Sequence, residues 1–562
     1  MRKYFLLGPV LGILCLLALL CVSEEIHPGE GLSPQQAGHA QSAGPGRGRN
    51  SATTTPFPVT ARWKKVQRTL VRDGIALQLE VEPIQEQGDP APTRTGQALR
   101  IRLALHDAAT RTPLTGLHPA AWMSLREGEE VPCNTRARAF LRRSIMEKQP
   151  EMDLNDYYVL VLNQDGTINV VDPQFSSGRP RLVASIALPG RAVDWALSSD
   201  QTKLYVSVSQ PGEILMIDTA TWAIVHRAKI SGAAKLALQP DERYLWSSYS
   251  GNESGVAVLS AASLELVTRV PLRVGTHDIA FSNDSRFAFV TNPSAASVSM
   301  IDVVRRAQIK ELKTEGPAAA IAYSSASQAA YVTTAGGSIL VIREQGEVVS
   351  RIRAEPGLGQ IAFFGDGRIG FALNPEKGLL HVIDAARNVL AQTAPINASP
   401  QQIVFSDQLA YIVRRDSDLI EMVPLDHIDA PGAAVSMVDL PAGRSAFSHT
   451  SADELTRTMV QLPGENAVVI ANAGDKAVFY YEEGMAAPMG TFSNFGKEPR
   501  SVLVVDRSLK EKSPGVYEAT GRLEKTGTYI VPVLLDSPRM VECFTVPVGV
   551  EDASPAEAPE HR

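Results

Sequence analysis

A short segment recurs six times in the middle of the 562-residue chain and limits the possible folds more than any other feature. One copy, His277 to Asp302, reads HDIAFSNDSRFAFVTNPSAASVSMID. Its alternating apolar and aromatic residues predict strands at Ile279–Ser282, Arg286–Thr291 and Ser297–Ile301. The small residue central to the first strand recurs at spacings of 41, 43, 42, 40 and 42, at Ala196, Ala237, Ala280, Ala322, Ala362 and Val404. A period near forty residues with about four strands per repeat predicts a β-propeller.

The number of blades depends on how this ring closes. An incomplete first copy starts at Asp156 without an innermost strand, and six fuller copies occupy roughly 190–440. If Arg457–Leu462 enters the incomplete copy as a seam strand, the propeller has seven blades and no open edge. If that segment starts a separate blade, the propeller has eight. We favour seven and keep eight as the alternative, for a propeller that spans 156–484.

Both ends of the chain have alternating strands and Gly, Pro and Ser turns, but neither has enough strands to close a sandwich alone. We therefore predict an all-β chain whose propeller is inserted into one immunoglobulin-like sandwich. Its halves are residues 61–128 and 485–548, and the second includes Arg500–Asp506. The helical spacing of apolar residues in Cys133–Lys148 predicts a helical connector within 129–155.

The N-terminus has the pattern of a secretory signal over residues 1–23, with Met1-Arg2-Lys3 before an apolar run. An uncleaved inner-membrane anchor is the alternative, because about nineteen apolar residues can just span a bilayer. Residues 24–60 are rich in Gly, Ser, Ala and Pro and predict a disordered linker, and 549–562 a disordered tail. The predicted location is periplasmic or secreted. In that oxidising compartment Cys133 and Cys543 are expected to form a disulfide, the alternative being two buried thiols.

The repeat resembles the YVTN and cytochrome d1-type propellers in its [I/L]-A-[F/Y/L]-S core, acidic turn and V-x-[M/V]-[I/V]-D strand. The resemblance covers roughly Asp156 to Leu440. It implies a periplasmic propeller whose channel can hold a tetrapyrrole, with histidines at the channel mouth. More loosely, ALRIRLALHDAATRTPLTGLHPAAWM and PGVYEATGRLEKTGTYIVPVLL resemble FixH or YtkA-like sandwiches, which occur in redox and copper-handling settings.

His277 is the best candidate cofactor ligand, because it lies at the entry of an innermost strand. The other five copies hold Val193, Ala234, Ala319, Gly359 and Gln401 at that position. The alternative is a histidine that hydrogen-bonds a neighbouring loop. His427 and His449, in late loops, are weaker candidates for the same channel face, and His381 is expected to pack between blades. The chain has no C-x-x-C-H, so no covalent c-type haem is expected.

Met485 and Met489 are soft thioethers on a Gly and Pro-rich loop that could bind Cu(I), although methionines also fill irregular cores. The net charge of -7 and the lack of a basic run argue against a nucleic acid partner. We predict an exported binding or scaffold protein that presents its propeller to a periplasmic or membrane-associated protein partner or a small cofactor in a redox or metal-related pathway. We favour a role without catalysis. A d1-type haem-binding oxidoreductase or haem d1 maturation factor is the alternative, and a copper-handling protein a second one.

Overall fold

The computed structural model describes the chain from residue 65 to residue 549 with gaps. The described residues are 65–83, 97–126, 131–142, 150–173, 180–273, 275, 277–396, 399–414, 417–426, 428, 435–443, 458–463, 466–485, 487–523 and 525–549. The predicted signal, linker and tail lie outside them, as do His427 and His449. Within the described part of the chain, no helix is long and apolar enough to span a bilayer.

The first elements belong to the sandwich and its connector. They are β1 (Val66–Arg72), β2 (Ile75–Pro83), β3 (Gln97–Asp107), β4 (Ala120–Leu125), α1 (Cys133–Arg142) and β5 (Met152–Asp153).

The repeats follow as four-stranded antiparallel sheets, which we number as blades 1 to 8 in chain order. Blade 1 contains β6 (Tyr157–Asn163), β7 (Thr167–Asp172) and β8 (Arg181–Ala187); blade 2, β9 (Ala192–Leu197), β10 (Lys203–Val208), β11 (Glu213–Asp218) and β12 (Ala223–Lys229); blade 3, β13 (Ala233–Leu238), β14 (Tyr244–Tyr249), β15 (Gly255–Ser260) and β16 (Leu266–Pro271); blade 4, β17 (Ile279–Phe281), β18 (Phe287–Asn292), a 3-10 turn (Pro293–Ala295), β19 (Ser297–Asp302) and β20 (Ala307–Lys313).

The second half of the ring repeats the same order of strands. Blade 5 contains β21 (Ala318–Ser324), β22 (Ala329–Thr334), β23 (Ser338–Arg343) and β24 (Val348–Arg353); blade 6, β25 (Ile361–Phe364), β26 (Ile369–Asn374), β27 (Leu379–Asp384) and β28 (Val389–Pro395); blade 7, β29 (Pro400–Phe405), β30 (Leu409–Arg414), β31 (Leu419–Pro424) and β32 (Val438–Pro441); blade 8, β33 (Met459–Gln461), β34 (Ala467–Asn472), β35 (Ala477–Glu482) and β36 (Gly490–Ser493). β37 (Pro499–Asp506) then pairs with β6 and completes blade 1.

Apolar clusters join blade 1 to both of its neighbours and close the ring. Leu503 of β37 packs with Trp195 of blade 2. Val502, on the other face of β37, packs with Val469 of blade 8. Because each blade can bury both faces only against its neighbours, a closed ring leaves no unpartnered sheet face.

Ring closure differs from the prediction in the identity of the seam strand. The favoured role of Arg457–Leu462 as the seam strand is wrong, and the alternative of a separate blade agrees with the pairing of β33 with β34 in blade 8. The seam strand is β37, which the sequence prediction placed in the sandwich. The described strands therefore form eight four-stranded blades, whereas seven was the favoured number. Because β36 also belongs to blade 8, the propeller extends beyond the predicted limit of residue 484 to Asp506.

The two chain ends form one sandwich, as predicted. After β37 come β38 (Lys510–Ser513), β39 (Val516–Leu523), β40 (Gly527–Asp536) and β41 (Arg539–Val548). One sheet has the order β1-β2-β3-β39-β38 and the other β41-β40-β4-β5, so each contains strands from both ends. Alternate residues such as Leu103 and Val531 share the core between the sheets. The predicted disulfide is present: Cys133 at the start of α1 is bonded to Cys543 of β41.

The sandwich is attached at one end of the propeller channel. The chain enters blade 1 at Tyr157 and leaves it at Asp506, and these two residues are paired across β6 and β37. The opposite end of the channel is the one at which the innermost strands begin, as β37 does at Pro499. His277 precedes the innermost strand β17 and therefore lies at the end opposite the sandwich.

Candidate functional site

His277 lies in the connection between β16 and β17 and is fully buried. Its Nδ1 is 2.6 Å from the carbonyl oxygen of Thr291 in β18. A carbonyl oxygen can only accept, so Nδ1 carries the hydrogen of the neutral ring. Nε2 is then the nitrogen with the lone pair, and it is buried with no hydrogen-bond partner among the described residues. This is the tautomer of a histidine that binds a metal through Nε2.

The surroundings of His277 favour its neutral form. Burial lowers the pKa of the imidazole, and the carbonyl groups of Thr291 and Arg273 oppose that effect. Arg273 belongs to the same connection between β16 and β17. The net direction is a lowered pKa, so the ring is neutral at pH 7 and Nε2, which is buried, keeps its lone pair.

His277 lies at the position where the pairing of several other innermost strands has a bulge. The pairing of β9 with β10 skips Val193, that of β21 with β22 skips Ala319, and that of β37 with β6 skips Arg500. Bulges of this kind often redirect side chains beside functional sites. Arg500 is thus a counterpart of His277 that the prediction missed, because its strand was assigned to the sandwich. Arg500 is buried and its Nη1 donates to the carbonyl of Ala192, 2.9 Å away.

The residue after the bulge links each of four blades to the next. In blade 2, Oδ2 of Asp194 accepts a hydrogen bond from the backbone N–H of Leu236 in blade 3, at 2.9 Å. In blade 4, Oδ2 of Asp278 accepts from the N–H of Ile321 in blade 5, at 3.4 Å. Likewise, Oε1 of Gln360 in blade 6 accepts a hydrogen bond from the N–H of Ile403 in blade 7, and Oε1 of Gln402 in blade 7 accepts one from the N–H of Thr458.

At this position of the repeat, the adjacent blades 2, 3 and 4 have charged residues: Asp194, Lys235 and Asp278. Burial raises the pKa of Asp278, the charge of Lys235 and the N–H groups of Ile321 and Ile279 lower it, and the charge of Asp194 raises it again. The net direction is upward, so Asp278 holds its proton more tightly than a free aspartate. The cluster was not predicted, because the residue type at this position changes from blade to blade.

Solvent reaches the innermost strands from the channel. β13 is buried only at Ala233, whereas its neighbour β14 is buried from Leu245 to Tyr249. Asp194, Lys235 and Asp278 are likewise partly exposed. The channel can therefore admit water and small groups to the charged cluster beside His277.

Of the other predicted cofactor and metal ligands, the structure describes the two methionines, and these lie at the opposite end of the propeller. Met485 and Met489 follow β35 and are exposed at 43% and 52%. Over the described ranges, no group of three or more His, Cys, Asp or Glu side chains is arranged to hold a metal ion. His381 is fully buried in β27, where its Nδ1 lies 3.0 Å from Oγ1 of Thr393. The roles of His277 as a cofactor ligand and of the two methionines as copper ligands stay predictions.

Comparison with known proteins finds similarities at low identity. No protein-family model matches the chain. A dihydro-heme d1 dehydrogenase of Pseudomonas aeruginosa is 28% identical over 187 residues, which are 31% of this chain and 38% of that protein. The match thus spans well under half of that relative's length.

Two solved structures share the fold. Dihydro-heme d1 dehydrogenase NirN in complex with DHE superposes with a TM-score of 0.52 at 14% identity, covering 65% of this chain and 78% of that one. AztD of Citrobacter koseri superposes with a TM-score of 0.50 at 9% identity, covering 62% and 98%. Together these similarities support the β-propeller fold.

Proposed function

We propose that the propeller binds a haem d1-type tetrapyrrole at the channel end opposite the sandwich. The observation that carries this proposal is the 187-residue similarity to the dihydro-heme d1 dehydrogenase. The likeness to NirN supports only the fold on which such a site would be built. Of the functions considered from the sequence, this is the haem d1 alternative, which the similarity favours over a scaffold without a cofactor.

His277 is the residue that would hold the iron. Its Nδ1–H donates to the Thr291 carbonyl, which fixes the ring orientation and leaves Nε2 for the metal. The iron would supply redox chemistry when the group is bound. Because the ring is fully buried, binding requires the chain around it, including Arg273, to move aside.

The charges of the channel favour the mouth as the binding position. Asp194 and Asp278 flank Lys235, so this cluster carries two negative charges and one positive charge when both acids are ionised. Carboxylate side groups of a tetrapyrrole would be repelled by the acids deeper in the channel. A macrocycle at the mouth keeps those groups in water while its iron faces His277.

The protein would act outside the cytoplasm and deliver or receive the group through a protein partner. The disulfide between Cys133 and Cys543 supports an oxidising compartment. The sequence contains no C-x-x-C-H, so electrons for any redox step would come from that partner. Periplasmic location and the partner are both part of the proposal.

Titration of the purified full-length protein with haem d1, followed by absorption spectroscopy, tests this function. We expect the wild type to bind with a shifted spectrum and His277→Ala to lose at least about tenfold in affinity, equivalent to about 1.4 kcal/mol. His381→Ala is the matched control, because His381 is also fully buried with a lowered pKa. No spectral change in the wild type, or equal binding by His277→Ala, would refute the proposal.

A further inference from the structure

A cavity of about 500 Å³ lies between blades 7 and 8, at the propeller end that carries the sandwich. It is therefore at the opposite end from His277. Its lining combines apolar walls with amide and carboxylate side chains, contributed by Gln408, Leu409, Met422, Pro424, Val438, Asn466, Glu482, Glu483, Gly484 and Met485. Small-molecule sites are typically of this size and mix many apolar with few polar groups.

Glu483 is unusual for its place in the repeat. It is the first residue after the third strand of its blade. Thr219, Ala261, Val303, Ala385 and Leu425 occupy the same place in blades 2, 3, 4, 6 and 7. Blade 5 has Glu344 there, but Oε1 of that carboxylate accepts a hydrogen bond from the hydroxyl of Tyr323 at 2.6 Å.

The carboxylate of Glu483 has no such donor. Both of its oxygens are buried without a hydrogen-bond partner in the part of the chain that is described. Glu483 also acts on the nearby Tyr411. Burial is the main cause that raises the pKa of Tyr411, and the negative charge of Glu483 raises it further. A buried carboxylate without a donor or counter-charge is costly, so a cation placed beside it gains energy.

Among the described residues that line the cavity, no lysine, arginine or histidine supplies this counter-charge. An aliphatic ammonium ion fits both features, since its charge complements Glu482 and Glu483 and its chain complements Leu409, Pro424 and Val438. Met422 and Met485 add unbranched side chains that adapt to the shape of a guest. We propose that this cavity is a binding site for small organic ammonium ions, independent of the proposed tetrapyrrole site.

Saturation-transfer NMR on the full-length protein with n-hexylamine tests the proposal, with hexan-1-ol as the neutral ligand of matched size. We expect transfer to the ammonium ion and about tenfold weaker binding of the alcohol. Glu483→Gln should weaken n-hexylamine by about tenfold, whereas Glu344→Gln, at the equivalent position of blade 5, should not change it. Equal binding of amine and alcohol, or no effect of Glu483→Gln, would overturn the proposal.

A second pair of variants locates the guest without altering charge. Val438→Trp places a large side chain in the cavity and should abolish the transfer signal. Val389→Trp is its control, because Val389 is likewise exposed as the first residue of an outermost strand, in blade 6. Loss of signal in both variants, or in neither, contradicts the assignment to this cavity. Thermal melting of each variant identifies any that fails to fold.

Discussion

Two buried histidines in the same propeller illustrate why burial alone does not indicate a binding site. His277 of blade 4 and His381 of blade 6 are both fully buried, and burial lowers the pKa of each. Nδ1 of His277 faces a carbonyl that can only accept, so Nε2 keeps its lone pair. Nε2 of His381 instead lies 3.5 Å from the carboxylate of Glu355, which favours a hydrogen on that nitrogen. Of these two histidines, only His277 precedes an innermost strand and has its hydrogen on Nδ1 and its lone pair on Nε2.

The largest expected effect is a loss of stability, which should be greater for replacement of His381 than for replacement of His277. His381→Ala removes a side chain from the third strand of blade 6, packed between blades, and should lower the free energy of unfolding by about 2–4 kcal/mol. His277→Ala, beside the channel, should lower the free energy of unfolding by less than His381→Ala does, and it should remove haem d1 binding. Chemical denaturation of both variants checks this. A larger stability loss for His277→Ala than for His381→Ala would mean that His277 is mainly a packing residue.

A second prediction concerns the bulge itself. The hydroxyl of Thr291 accepts the N–H of Asp278 at 2.8 Å, and the hydroxyl of Thr333 accepts that of Ala320 at 3.1 Å in blade 5. Thr291→Val and Thr333→Val should each destabilise the protein by about 1–2 kcal/mol. Only Thr291→Val should also weaken haem d1 binding, because it loosens the bulge that orients His277. Equal effects of the two variants on binding would contradict this role.

The third prediction is a pH dependence that the two histidines share. Both have folded-state pKa values below the ordinary value of 6.5, so the unfolded chain binds more protons. The contribution of these two histidines to stability should therefore be fully present above pH 6.5. It should be lost as the pH falls from 6.5 through the lowered pKa values. Melting temperatures of His277→Gln and His381→Gln between neutral and mildly acidic pH should each show a smaller loss than the wild type. If the melting temperature of either variant changes with pH as much as that of the wild type, that histidine does not cause the pH dependence.

The smallest effect is expected at the methionines predicted to bind copper. Met485 and Met489 are substantially exposed, so replacing both with leucine should change stability by less than about 0.5 kcal/mol. The variant should also leave haem d1 binding unchanged. Metal analysis after incubation with Cu(I) decides whether they have another role. Copper bound by the wild type and lost in the double variant would support the copper prediction.

The propeller could be predicted because its repeat has a period long enough to identify the architecture and short enough to recur six times. The seam strand could not, because RSVLVVD is far in sequence from the blade 1 strands that it completes and directly precedes the strands of the sandwich. Its position inside the ring appears only in its burial on both faces. Continuous apolar runs of this kind are typical of strands covered on both sides, and that signal favours the propeller in retrospect.

The sequence pointed to His277, and its role as a ligand stays a prediction. Comparing repeats singled out His277, because no other aligned copy has a histidine there. Its tautomer depends on the Thr291 carbonyl, which comes close only when the bulge forms. The cluster of Asp194, Lys235 and Asp278 was missed because side chains from three blades meet only in the closed ring.

Anomalous diffraction at the iron edge, from crystals of the full-length protein soaked with haem d1, tests the central claim most directly. The proposal predicts one strong iron peak at bonding distance from Nε2 of His277, at the channel end opposite the sandwich. An iron peak at another position, or none in crystals that take up the chromophore, would contradict it.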